Sequence, residues 1–209
     1  MQSVSTKLSQ AKILGGIGSI LMLLYFAPYV GFVIFLVGLA LVLVALKYIS
    51  DETREPRIFN YALYSLIAVV IGVVVLMIFV LAYFMAFMIG GFISVEKSVH
   101  IPGATYITSI GPPTISRFFE ILLAVIVPLV IAWIVLIVAA ILIKKSYDLA
   151  ARALGVNWFS VAATLYLVGV ALMIVLVGFV ILLIALVIQI IAFFSIPEKL
   201  PETPQQQLV

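Results

Sequence analysis

Residues 13–46 read ILGGIGSILMLLYFAPYVGFVIFLVGLALVLVAL, and no charged side chain interrupts these 34 residues. A helix that crosses the hydrocarbon core of a bilayer needs about 20 apolar residues, each rising about 1.5 Å. The run is too long for one such helix and slightly short for two. Two fit if the first begins near Leu8 and Lys12 carries its ammonium out to the interface. Pro28 and Gly31, within APYVG, are the natural breakers for a tight hairpin between them.

Working outward, the rest of the chain repeats this pattern. Of its 209 residues 67% are hydrophobic and only 9% charged, against about 25% charged in a soluble domain. No globular core hides that much apolar surface, so the solvent must be lipid. Residues 61–95 suit one long tilted helix, and 118–143 suit another with Pro128 as a kink. Residues 158–196 suit two spans turning near Val177-Gly178. The expected fold is all-α: a polytopic integral membrane bundle of about six transmembrane helices, at roughly 8–27, 30–49, 61–90, 118–143, 158–175 and 178–196. These form one domain, 1–196, with an outer loop at about 93–117. The Pro- and Gln-rich tail, 197–209, is expected to be disordered. The opening apolar run outlasts a signal-peptide core and no small-x-small site comes after it, so it reads as the first transmembrane helix.

Six spans place both termini on one side with the two polar linkers. That side holds Lys7, Lys12, Lys47, Arg54, Arg57, Lys144, Lys145, Arg152 and Lys199, which is nine of the 11 basic residues. Only Lys97 and Arg117 fall opposite. Basic loops stay in the cytoplasm, so the termini are expected there, in the cell membrane of a prokaryote.

The two linkers share a spacing. Residues 47–60 are KYISDETREPRIFN and 144–157 are KKSYDLAARALGVN; each runs Lys, Asp four places on, then Asn nine further. Both read as helix-to-helix turnarounds of equal length. In the first, Pro56 stops the preceding helix, and Asn60 caps the next with Phe59 and Tyr64 as a hydrophobic staple. In the second, the helix runs on through SYDLAARAL with Asp148 and Arg152 as an i,i+4 pair. Tyr147, Ala151 and Leu154 form an apolar stripe for the headgroup boundary. Gly155 suits the left-handed residue after a helix end, and Asn157 caps the next helix. Arg54, Arg57, Lys144, Lys145 and Arg152 are the candidates for lipid-headgroup contact. A separate repeat, VGFVI, occurs at 30–34 and 177–181, each time at an expected outer hairpin turn.

Little in the chain can perform chemistry. It has no cysteine and one histidine, which excludes disulfides, thiolate metal sites, cysteine nucleophiles and a bis-histidine haem within the chain. An ionisable residue at mid-membrane would mark a functional site, and none is present. That argues against proton- or sodium-coupled carriers and intramembrane proteases. Missing cysteine with abundant Ile, Val and Leu is compatible with a thermophile. Gln189 is the deepest strongly polar residue and is expected to bond between helices. Ser19, Ser65 and Thr164 are expected to bond their own helix backbones. Gly15, Gly16 and Gly18 form a close-packing face. The outer loop is long, uncharged for most of its length and Pro-rich, so His100, Pro102, Tyr106, Pro112 and Pro113 are candidate partner contacts. No catalytic residue, metal, cofactor or nucleic acid is expected.

AKILGGIGSILMLL near the start, VGFVIFLVGLALVLVALKYISDETREPRIFNYALY in the first third and KKSYDLAARALGVNWFSVAATLYLVGVALMIVLVGFVILLIALVIQIIAFFSIP at the end resemble domain-of-unknown-function family 996. The resemblance implies a small archaeal or bacterial multi-pass membrane protein and assigns no residue a role. Three functions remain open: a non-enzymatic structural or accessory subunit of a larger membrane complex or self-assembly, a transporter or channel for a small or apolar solute, and a lipid-binding, membrane-organising protein. The first fits the residues best.

Overall fold

The computed structural model describes residues 6–92 and 115–198. These residues form six α-helices and no strand: α1 Thr6–Leu23, α2 Gly31–Thr53, α3 Pro56–Phe92, α4 Ile115–Leu154, α5 Trp158–Ala171 and α6 Val177–Phe194. Short 3-10 turns at Leu24–Phe26 and Met173–Val175 end α1 and α5. Four helices, α2, α3, α4 and α6, are long and apolar enough to cross a membrane. The other two are less self-evident. The first two turns of α1 carry Lys7 and Lys12, and the 14 residues of α5 rise only about 21 Å. Each terminal hairpin therefore joins one clear span to a shorter or more polar helix.

The chain divides into two compact units, Met1–Val69 with Leu136–Val209, and Val70–Val135. The first holds the core. Leu8, Leu46, Ile49, Ile58, Phe159 and Phe193 are fully buried there, drawn from all helices except α4, which adds Tyr147. In the second, Gly72 of α3 is buried, with a Val135 methyl 3.0 Å from where a β-carbon would stand. Most other described side chains of that unit are exposed and apolar, among them Val70, Met77, Val80, Leu123 and Ile134.

Lipid is as apolar as leucine, so burying leucine between helices gains little; small residues and polar links hold such bundles. Both are present. Gly18 of α1 and Gly38 of α2 meet so closely that a β-carbon on either would strike the other's carbonyl. A β-carbon on Gly15 would overlap the Phe193 ring of α6, and one on Gly16 would meet Phe194. The expected glycine packing face is therefore real. Hydrogen bonds join the other neighbours. Ser146 of α4 donates to Ile58 O of α3 at 2.6 Å, and Ser65 of α3 to Ala139 O of α4 at 2.8 Å. Ser160 of α5 donates to Asp148 of α4 at 2.6 Å. Tyr166 of α5 donates to Gln189 Oε1 of α6 at 2.6 Å, and Gln189 Nε2 to Ser19 of α1 at 2.7 Å. An edge-to-face series from Tyr147 through Phe159 to Phe193, at 5.6 and 5.1 Å, takes the same path from α4 to α6.

Several expectations change. Pro56 does not merely stop α2 but opens α3 as its first residue, where its missing N–H costs nothing and its φ is already helical. Asn60 therefore lies inside α3 and caps nothing, and the Phe59–Tyr64 staple dissolves with it. α2 ends instead on Arg54 in the left-handed region, with its N–H and that of Glu55 both bonded to Ser50 O. Asn157 does precede α5, but its backbone is already helical and its side chain makes no capping bond. Ser65 bonds across to α4 rather than to its own helix. Tyr147, Ala151 and Leu154 face the protein core, each at most 4% exposed, rather than the headgroups. Gly155 takes the expected left-handed conformation at φ 69°.

Candidate functional site

Two places concentrate what this chain has to offer: the middle of the first unit and its basic turnarounds. In the middle lies a cavity of about 210 Å³. Met22 of α1, Leu39 and Leu43 of α2, Leu66 of α3, Ile143 of α4 and Val170 of α5 give it apolar walls. Ala62, Ala139 and Ala140 make it wide where α3 and α4 face it. Its polar lining is Ser65, Tyr147, Tyr166 and Gln189; Ser65, Tyr166 and Gln189 are engaged in the interhelical bonds already described, and among the described residues no buried polar side-chain atom lacks a partner. Ser19 in turn donates to Gly15 O at 2.7 Å. The expected interhelical role of Gln189 is thus met by two partners on two helices. No charged side chain lines the cavity.

The turnarounds carry the charges. Lys47 pairs with Asp51 at 2.9 Å and Lys144 with Asp148 at 2.8 Å, both at i,i+4. The shared Lys-x-x-x-Asp spacing is thus one helical ion pair made twice. Asp148 bonds to Lys144 and Ser160, while the exposed Arg152, four residues on as the spacing suggests, acts on it as a nearby charge. Arg57 donates to both carboxylate oxygens of Glu55 at 2.7 and 3.0 Å, and this hydrogen bond holds the Glu55 carboxyl below the usual carboxylate range. Lys47 lies over the Phe59 ring at 5.3 Å and Lys145 over Tyr61 at 5.7 Å. Lys47, Arg54 and Asn60 share a surface recess of about 230 Å³ with Asp51.

Of the candidate headgroup contacts, Arg57 and Lys144 are committed to carboxylates, Lys145 to a ring face, and Arg54 to the recess. Among the described residues no three His, Asp or Glu side chains converge where a metal ion could sit. The candidate partner contacts His100, Pro102, Tyr106, Pro112 and Pro113 lie outside the described residues. Sequence reasoning missed Ser146, Ser160 and Tyr166 as interhelical donors, and the three alanines of the cavity. The available signal was small or hydroxylated side chains in helices otherwise built of Val, Ile and Leu.

A helical membrane protein with an uncharged interior and basic turnarounds is the class these features define. The chain belongs to the family described as protein of unknown function DUF996, whose pattern matches residues 34–187. It is also 29% identical over 197 residues to the uncharacterized protein MJ1644 of Methanocaldococcus jannaschii, covering 94% of this chain and 97% of that one. No solved structure matches.

Proposed function

We propose that this protein is a non-enzymatic subunit of an archaeal cell membrane, held through α3 against a larger membrane protein or against further copies of itself. The length of apolar surface on α3 carries the reading. Residues 61–92 contain no charge and, as 32 helical residues, rise about 48 Å. The hydrocarbon core is about 30 Å thick. Tilt alone would have to reach about 50°, beyond the range of about 0–40° that such helices adopt. Along the described part of this surface Ile71, Val74, Ile78, Leu81 and Phe84 are all exposed. A protein neighbour covers the excess without that tilt.

Nine of the 11 basic residues favour a cytoplasmic location for both termini and both turnarounds. The test is purification from native membranes in mild detergent, with quantitative mass spectrometry of the molecules that remain bound and light scattering of the particle. A stoichiometric partner or a defined oligomer is expected. A lone monomer would overturn the proposal.

A further inference from the structure

The cavity in the first unit is the least explained feature of the molecule. Its walls come from all six helices. Bundle interiors close such gaps with Leu or Phe, yet Ala62, Ala139 and Ala140 stand here, all at most 4% exposed. An apolar cavity of about 150 Å³ stays dry and takes up benzene. By proportion, about 210 Å³ accommodates about eight carbon atoms.

The lining selects the occupant. With no charged side chain, with Ser65, Tyr166 and Gln189 already bonded, and with no buried polar side-chain atom, that of Tyr147 included, left without a partner, the site attracts neither an ion nor a strongly hydrogen-bonding solute. Water needs two to four polar partners, which these walls do not supply. The cavity is not sealed. Its walls belong largely to helices long and apolar enough to cross a membrane, where hydrocarbon chains are the surrounding solvent. We infer that the cavity is a binding site for one hydrocarbon tail of a membrane lipid, inserted to a depth of about eight carbons. This goes beyond the accessory-subunit reading and stands or falls separately from it.

The test uses the full chain purified in a sterol-based detergent, whose fused rings do not fit the site. Native mass spectrometry reads retained lipid. Thermal unfolding of delipidated protein is then measured against neutral n-alkanols of four to about twelve carbons, a range bracketing the eight-carbon depth. One lipid per chain is expected, with a Tm about 3 °C lower after its removal. Alkanols should restore it increasingly up to about eight carbons and no further. Ala139→Leu fills the cavity, so it should retain no lipid, unfold at or above the Tm of the delipidated wild type, and ignore the alkanols. Ala62→Leu, on the facing helix, makes the same prediction should the first variant fail to fold. Wild type and variant losing stability equally with every alkanol would overturn the inference. Alkanol rescue with no lipid retained would overturn the lipid source and assign the site to a free small apolar molecule.

Discussion

Arg54 occupies the left-handed region at φ 54° and ψ 30°, at the end of α2 where the second turnaround uses Gly155. An L-residue pays roughly 1–2 kcal/mol for that conformation and glycine almost none. Arg54→Gly should therefore stabilise the protein by about 1 kcal/mol, and Gly155→Ala should destabilise it by about as much. Opposite shifts in thermal unfolding would verify the pair; equal signs would refute the strain argument. Its side chain lines the recess with Lys47 and Asn60. Gln189 makes the opposite case, a polar group whose value is structural. Gln189→Leu removes two interhelical bonds and strands the Tyr166 hydroxyl. Measured bonds of this kind average about 0.6 kcal/mol and reach about 1.7. A loss of about 1–3 kcal/mol in detergent unfolding is expected, and an unchanged Tm would show the network to be incidental.

At the scale of helices, the molecule is held by close approach and by single hydroxyls. Gly38→Val should force α1 and α2 apart at Gly18, costing about 1–3 kcal/mol or more through overpacking. Ile13→Val, on an exposed face of α1, should cost almost nothing. Comparing the two by thermal unfolding separates packing from propensity. Much of this layer is legible in the chain. The glycines of GGIG mark the contact of α1 with α2 and α6. VGFVI marks both terminal hairpin turns: Tyr29 and Leu176, one residue before each copy, have φ of 68° and 61°. The glycine within each copy packs on a carbonyl, of Tyr25 or of Gly169. The misreadings have physical causes. A lipid-facing surface is as apolar as a protein-facing one, so periodicity cannot say which side of α3 or α4 is buried. In sequence, Ser65 therefore looks self-satisfied and Tyr147 looks interfacial. Asn60 misleads because a proline can stop one helix and start the next, and only the backbone after Thr53 decides which.

At the scale of the molecule, the open matter is whether the two terminal hairpins cross the bilayer. α5, Leu172 and the 3-10 turn together provide 18 residues, Trp158 to Val175, which rise about 28 Å, just short of the hydrocarbon thickness of about 30 Å. A full crossing thus requires local thinning or an exposed turn at the surface, each costing fractions of a kcal/mol per Å. Leaving α5–α6 re-entrant would bury the Leu176 turn in hydrocarbon, where each unpaired backbone group costs several kcal/mol. Crossing sets that turn at the water interface instead, so it is the less costly arrangement. Because the chain has no cysteine, single cysteines can be placed without background. Tyr29→Cys and Leu176→Cys, both at exposed turn positions, should react in intact cells with a membrane-impermeant maleimide. Arg54→Cys and Arg152→Cys, in the basic turnarounds, should react only after the membrane is opened. Labelling of Leu176→Cys solely in detergent would make the last hairpin re-entrant. Reversal of all four would place the basic turnarounds outside and refute the orientation drawn from the lysines and arginines.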